Sequence, residues 1–133
     1  EKAPAALCRK VAGIPEVGGA IEVWGDGLQT RSFLYIDECI EATRRLMDSK
    51  FQGPVNIGSE EMVSINELVR IIAGVSGKVV KVMHKMDAPL GVRGRNSNND
   101  LIREKLDWDY EMTLEEGIRN TYHWIKAQME AQL

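Results

Sequence analysis

The chain has 133 residues, of which 44% are hydrophobic, so it is long and apolar enough to form the core of one domain. Its formal net charge is −3 and its pI is near 5.5, so the composition favours neither nucleic acid nor an anionic membrane as a partner. No apolar run is long enough to cross a bilayer, and Cys8 and Cys39 alone do not make a disulfide framework. These features predict a cytoplasmic globular domain in which both thiols are small buried hydrophobes.

The first elements in the chain are predicted to be a helix and a short strand. Pro4 suits the first turn of a helix, because its missing N–H would be unpaired there. Gly13 is expected to end that helix. Apolar Ile21 and Val23 alternate with their neighbours, which predicts a strand over residues 20–24.

A turn and an extended segment follow this strand. Asp26-Gly27 is a turn dipeptide, because glycine adopts positive φ without steric cost. Polar and charged residues alternate after the turn, which favours an extended backbone whose two faces lie in different surroundings. The residues of this alternation are Gln29, Thr30, Arg31 and Ser32.

The next segment is predicted to pass from a strand into a helix. Residues 33–36 are an apolar run typical of a buried strand, and Asp37 is expected to cap the helix that follows. Helical spacing then predicts a core-facing stripe. Its members are Ile40, Thr43, Leu46 and Met47. Residues 55–58 are predicted to form another short strand, because both of their apolar residues are β-branched.

Two capping boxes predict helix starts in the second half of the chain. They begin at Ser64 and Thr113, and each has a glutamate three residues later. Gly77 is expected to end the first of these helices, and residues 79–83 read as a strand. Residues 84–99 are predicted to be a loop and residues 100–106 a short helix. The order of helices and strands predicts an α/β fold.

Three stretches carry a resemblance to a known family. The pattern G-x-G-x-Q-x-R with an aromatic strand and an aspartate, over residues 25–37, resembles the substrate-binding segment of the extended short-chain dehydrogenases that modify nucleotide sugars. These belong to the NAD-dependent epimerase/dehydratase family. The opening EKAPAALCRK and the stretch VRGRNSNN at residues 92–99 resemble the branch of that family that acts on GDP-mannose. Residues 74–90 match least well.

The resemblance implies a place for the chain within a longer protein. The chain opens directly into a helix, and residues 1–133 would be the C-terminal, substrate-binding portion of an extended short-chain dehydrogenase. Residues 33–58 would complete its Rossmann sheet with the last strand and helix elements. The N-terminal part, which would bind most of the NAD, would be absent, so the chain alone is expected to be inactive. A homodimer is expected for the full-length protein.

The resemblance also implies a reaction. NAD would oxidise C4 of the hexose of GDP-mannose, which acidifies the protons on C3 and C5, and an acid/base pair would then invert both carbons before C4 is reduced again. Lys2 matches the lysine of that pair, and the cysteine partner lies upstream of this chain. The alternative for Lys2 is an exposed lysine without a catalytic role.

Substrate binding is assigned by the same resemblance. Two arginines would hold the diphosphate, which suits the arginine fork because it can bind two phosphate oxygens at once. The predicted substrate-binding residues are Arg31 and Arg95 at the phosphates, Gln29 and Thr30 beside them, Glu1 and Ala3 with Lys2 at the sugar end, and Lys10 near the nucleotide. The alternative for Arg93 and Arg95 is a solvated loop, or ion pairs with Asp87 and Asp100.

Other functions are less well supported by the sequence. His84 and His123 lack metal-ligand spacing, so no metal site is expected. One alternative function is another NAD-dependent nucleotide-sugar epimerase or dehydratase. A second, from a different class, is a stand-alone nucleotide-sugar-binding or assembly module.

Overall fold

A computed structural model describes residues 2–132, and in that range it contains five helices and five strands. The helices are α1 (Ala3–Gly13), α2 (Ile36–Asp48), α3 (Ile65–Ser76), α4 (Asp100–Leu106) and α5 (Leu114–Ala131). The strands are β1 (Gly19–Trp24), β2 (Thr30–Ser32), β3 (Met62–Ser64), β4 (Val80–Lys85) and β5 (Gly94–Arg95). The predicted α/β class is confirmed. Among the helices of residues 2–132, none has the length and apolar character needed to span a membrane.

The strands form two small sheets. In the first, β1 and β4 pair in parallel along their whole length, from Gly19 opposite Val80 to Trp24 opposite Lys85. In the second, β2 lies in the middle, antiparallel to β3 and parallel to β5. The second sheet therefore brings two distant parts of the chain to the turn segment before β2.

The main core joins α1, α3 and α5 to the inward side chains of β1. Along β1, Ile21 and Val23 are buried while the residues between them are exposed, as the predicted alternation requires. Their partners come from the apolar stripes of the three helices. The largest of these buried partners are Leu68, Ile72, Val11 and Tyr122.

The two predicted capping boxes are both present. The Ser64 hydroxyl accepts the backbone N–H of Glu67, and the Glu67 carboxylate accepts the N–H of Ser64. Thr113 and Glu116 repeat this arrangement at the start of α5. The backbone donors hold the pKa of both glutamates below its usual range.

A buried lysine fixes the C-terminal end of α1. The side chain of Lys78 is 1% exposed, and its ammonium donates to the carbonyl oxygens of Val11, Ala12 and Ile14 at 3.3, 3.0 and 2.8 Å. The carboxylate of Glu16 lies 3.5 Å away. A positive charge at a helix C-terminus is stabilising, since unpaired carbonyls and the helix dipole both favour it. Lys78, which precedes β4, thereby ties α1 to the first sheet.

The predicted strands at residues 33–36 and 55–58 are wrong for the described chain. Neither segment pairs with another strand within residues 2–132, and Ile36 already begins α2. A strand needs a neighbouring strand to pair its backbone N–H and C=O groups. An apolar run in the sequence does not indicate whether such a neighbour is present. Asp37 is also not the cap: Tyr35 is the N-cap of α2 and makes no side-chain cap hydrogen bond.

The predicted core-facing stripe of α2 is also wrong in this chain. Ile40 and Met47 are 58% and 79% exposed, and Ala42 is the one fully buried residue of the helix. Ala42 packs in a second, smaller cluster with Ile102 and Trp108. The helical period was read correctly, but nothing in residues 2–132 covers the face that it defines.

The two cysteines differ in their surroundings. Cys8 is fully buried in α1, as predicted, and burial raises the pKa of its thiol to about 11. Cys39, on α2, is only half-buried, so the expectation of a buried hydrophobe is wrong there.

Candidate functional site

Two of the predicted phosphate-binding residues lie side by side. Strands β2 and β5 run parallel and place Arg31 opposite Arg95. The sequence had predicted a loop over residues 84–99, and the two-residue strand β5 inside it is a correction. A strand of two residues is too short to show a period, so only its pairing with β2 reveals it.

The two guanidinium groups have different contacts. Arg31 donates to the carbonyl oxygens of Thr30 and Val92, which ties its fork to the backbone of the loop before β5. Arg95 is exposed, and within residues 2–132 its side chain makes no hydrogen bond or ion pair. The alternative of an ion pair between Arg95 and Asp100 is not present in the described residues, where Asp100 pairs with Arg103. Arg95 is therefore available to an anionic ligand.

The Asp26-Gly27 turn is present and is fixed from several sides. The carboxylate of Asp26 accepts the N–H of Leu28 at 2.9 Å and pairs with Arg93 at 3.1 Å. These two donors lower the pKa of Asp26. Arg93 pairs with Asp26 and not with Asp87, its alternative partner, and thus joins the loop before β5 to the turn before β2.

Asn66, at the start of α3, holds this turn by a side-chain hydrogen bond. Its side-chain amide donates to the Asp26 carbonyl at 3.0 Å, and its Oδ1 lies 2.9 Å from His84 Nε2. Gly27 has a φ of 70°, and a side chain there would collide with Asn66. This close approach explains why the turn uses glycine.

A cavity of about 350 Å³ opens beside the arginine pair. It lies between the N-terminal turns of α1, the end of β1 and the loop before β5. Three of the predicted site residues line it: Ala3, Lys10 and Gln29. Gly91 also lines it and lies close to the Arg31 guanidinium, so the cavity and the arginine pair adjoin.

Polar atoms in the cavity have few partners. Gln29 donates weakly from Nε2 to the Trp24 carbonyl, at 3.4 Å, and its Oε1 is buried without a hydrogen bond. Buried polar atoms are normally paired, so an orphaned acceptor in a cavity is a signal of a missing donor. The Lys10 ammonium uses one of its three donors on the Glu22 carbonyl, at 2.8 Å.

The remaining predicted residues lie at the border of this site or outside the described residues. Lys2 is exposed and directly precedes Ala3, which lines the cavity. Thr30 lies on β2, and its hydroxyl faces Gly94 of β5. Glu1 lies outside the described residues. The structure therefore groups Ala3, Lys10 and Gln29 at the cavity and Thr30, Arg31 and Arg95 at the adjoining strand pair.

Sequence reasoning missed several residues of the cavity, among them Glu22 and Leu90. Glu22 lines it from β1, and Leu90 lines it from the loop before β5. The alternation of β1 placed Glu22 on the same face as Trp24, which could have indicated its position. Leu90 had no such signal. Within the described residues, no three His, Cys, Asp or Glu side chains come together as a metal site.

Comparison with known proteins gives a consistent result. Residues 2–58 match the model of the NAD dependent epimerase/dehydratase family. The chain is 53% identical to GDP-mannose 3,5-epimerase of Arabidopsis thaliana over 132 residues, which are 99% of this chain and 34% of that protein. It is 31% identical to dTDP-4-dehydro-6-deoxy-D-allose reductase of Streptomyces bikiniensis, over 84% of this chain and 34% of that protein.

A solved structure shares the fold. UDP-glucose 4-epimerase of Thermotoga maritima matches with a TM-score of 0.86 at 22% sequence identity, over 96% of this chain and 40% of that chain. The present chain thus spans about a third of the length of the curated relatives it matches. Sequence identity, family match and fold agree with the resemblance in the motifs: residues 2–58 match the NAD dependent epimerase/dehydratase family, and nearly the whole chain is similar to about a third of a GDP-mannose 3,5-epimerase.

Proposed function

We propose that this chain is the C-terminal, substrate-binding portion of an NAD-dependent GDP-mannose 3,5-epimerase. The observation that carries the proposal is the facing pair of Arg31 and Arg95 next to a cavity lined by Ala3, Lys10 and Gln29. A diphosphate between a sugar and a base needs cations at its centre and space beside them for the groups that it joins. The 53% identity to a GDP-mannose 3,5-epimerase supports this substrate over other nucleotide sugars.

Both arginines would bind the diphosphate, each in a different way. Arg95 has no partner in residues 2–132 and can turn its whole fork to the phosphate oxygens. Arg31 is held by backbone carbonyls, so it contributes a fixed positive charge beside Arg95. Thr30 adds a hydroxyl on the same strand.

Lys2 is proposed as one half of the acid/base pair. It is exposed at the start of α1, next to Ala3 of the cavity, so its ammonium can reach a sugar bound at that end. Its role would be to hold or return a proton on one face of the sugar carbons. The group on the opposite face would come from a part of the protein that this chain does not include.

NAD does not fit the residues of this chain. Residues 2–132 contain no strand followed by a glycine-rich turn and a helix, which is the unit that cradles a dinucleotide pyrophosphate. The proposal assigns NAD, which would supply the transient oxidation at C4, to the rest of the protein, so this chain by itself would be inactive.

Residues 33–58 are proposed to complete the sheet that binds the cofactor. Two features support this. The segments 33–35 and 55–58 have no strand partner within residues 2–132, and the apolar face of α2 is uncovered there. Both would be satisfied by neighbours from the cofactor-binding part.

The complete protein is further proposed to act as a homodimer in the cytoplasm. Cys8 and Cys39 are free thiols, as is usual in a reducing compartment. The dimer follows from the family resemblance, and a solution mass of a single copy by light scattering would contradict it.

The reaction can be tested by hydrogen exchange. GDP-mannose incubated in heavy water with the complete protein should gain deuterium at both C3 and C5, because both carbons lose and regain a proton. Lys2→Met should abolish this gain. Lys81→Met is the matched control, since Lys81 is an exposed lysine on β4. With this variant, GDP-mannose should gain deuterium at C3 and C5 as it does with the wild type. A wild-type protein that exchanges neither carbon would rule out the proposed reaction.

A further inference from the structure

The carboxylate of Glu22 has one oxygen that accepts no hydrogen bond from the described residues. Glu22 and Trp24 lie two residues apart on β1, on the same exposed face, and both line the cavity. The indole N–H of Trp24 donates to one carboxylate oxygen of Glu22 at 3.1 Å. The other oxygen has no hydrogen-bond partner within residues 2–132. The indole therefore holds the carboxylate in place and leaves its second oxygen available to a ligand.

Gln29 adds a second unused acceptor to the same cavity. Its Oε1 is buried and unpaired. The nearby Lys10 ammonium donates to the backbone carbonyl of Glu22 and makes no hydrogen bond to Gln29 Oε1. A ligand that fits this cavity must bring hydrogen-bond donors of its own.

The remaining walls suit a flat ring. The apolar residues that line the cavity include Ala6 and Leu7 of α1 together with Trp24, Pro89 and Leu90. Aromatic and apolar side chains hold a planar base by stacking, which does not depend on which base it is. The walls thus favour a nucleobase in general, and the acceptors decide which one.

Guanine is the base whose edge matches two acceptors. It presents a ring N–H next to an exocyclic amino group, so the free carboxylate oxygen of Glu22 can accept from one and Gln29 Oε1 from the other. Uracil and thymine present one N–H between two carbonyl oxygens, and those oxygens would face the carboxylate unfavourably. We infer that Glu22 is a specificity-determining residue that selects guanine over pyrimidine bases, with Gln29 as a second acceptor. This inference rests on the proposed function, in which the ligand is a nucleotide sugar.

The inference separates base recognition from phosphate recognition. Arg31 and Arg95 lie on β2 and β5 and meet a diphosphate whatever base it carries. Glu22 lies on β1 and meets the base. A substitution at each place should therefore change binding in a different way.

The test measures the affinity of the complete protein for GDP, IDP and UDP by calorimetry. Inosine lacks the exocyclic amino group of guanine, so IDP isolates that contact. The wild type should bind GDP more tightly than IDP or UDP by on the order of tenfold to a hundredfold, the usual loss for a hydrogen bond to a charged group. Glu22→Gln still gives Trp24 an acceptor but sets an amide donor against the base. It should lower the GDP affinity and bring the three affinities close together.

Arg95→Ala is the matched control. It should weaken GDP, IDP and UDP by a similar factor and keep their ratios. The unfolding midpoint of Glu22→Gln should equal that of the wild type, because Glu22 is exposed.

The outcomes separate the two proposals. An unchanged GDP to UDP ratio in Glu22→Gln would overturn the role of Glu22 and leave the proposed function standing. Equal wild-type affinity for GDP and UDP would likewise overturn base selection alone. A wild type that binds none of the three would overturn the proposed function, and the role of Glu22 with it.

Discussion

Helices α2 and α3 are similar in length and both are amphipathic, but only one of them is buried. In α3, Ile65, Leu68, Val69 and Ile72 all lie in the main core. In α2, Ala42 alone is fully buried, while Ile36, Ile40 and Met47 face outward. The contrast lies in the neighbours of each helix and not in the helices themselves.

This difference divides the chain into a part that is complete and a part that is not. The main core of α1, α3, α5, β1 and β4 is buried within residues 2–132, with Met83 and Trp124 exposed on its outside, and the cavity borders on it. In the region around α2, the apolar face of the helix is uncovered. The segments 33–35 and 55–58 of this region have no strand partner within residues 2–132. Under the proposed function, the complete part carries the substrate site and the incomplete part joins the cofactor-binding part.

The largest expected effect comes from matched isoleucines in the two helices. Ile72→Ala should lower the free energy of unfolding of this chain by about 2–5 kcal/mol, because Ile72 is fully buried and its loss leaves a cavity. Ile40→Ala should change it by less than about 0.5 kcal/mol, since Ile40 is exposed. Urea unfolding of the two variants measures both values.

The same pair can be used in the complete protein. If the α2 face docks on a further part of the protein, Ile40→Ala should become clearly destabilising there, while Ile72→Ala should cost about as much as before. An effect of Ile40→Ala that is equally small in both proteins would show that the α2 face stays exposed.

The two cysteines give the next largest effect. Burial raises the pKa of the Cys8 thiol from 9.0 to about 11. The unfolded chain therefore releases this proton at lower pH than the folded chain does. The stability associated with Cys8 is fully present below pH 9 and is lost as the pH rises from about 9 to about 11. The loss should be on the order of 2–3 kcal/mol.

This loss can be measured by urea unfolding between pH 8 and 11. Cys8→Ala should remove most of the alkaline loss, although its stability at pH 8 will be lower because the side chain is smaller. In the folded wild type, a thiol reagent should modify half-buried Cys39 before Cys8. Faster modification of Cys8 would mean that the main core opens more readily than the α2 region.

The helix starts provide a smaller effect. Ser64→Ala removes the cap of α3 and should lower the free energy of unfolding by about 1 kcal/mol. Asp37→Ala should cost less, since Asp37 lies inside the first turn of α2 and contributes only through the helix dipole. Thermal unfolding of both variants tests the order, and a larger loss for Asp37→Ala would show that it acts as the cap after all.

The sequence was informative wherever a structure depends on near neighbours. Ser64 and Thr113 with their glutamates predicted both helix starts, and Asp26-Gly27 predicted the turn. The strands expected at residues 33–36 and 55–58 failed because a strand depends on a partner elsewhere. The facing of Arg31 and Arg95 likewise arises from pairing across more than sixty positions, which no local pattern contains. Family resemblance pointed to both arginines, and the fold brings them together.

The pairing of Arg31 with Arg95 as a diphosphate site is the centre of this account. The most direct test is the affinity of the complete protein for GDP-mannose, measured by calorimetry for the wild type and for Arg95→Ala. We expect the wild type to bind and the variant to lose on the order of 1–3 kcal/mol of binding free energy, with an unchanged unfolding midpoint. An Arg95→Ala protein that binds GDP-mannose as tightly as the wild type would contradict the account.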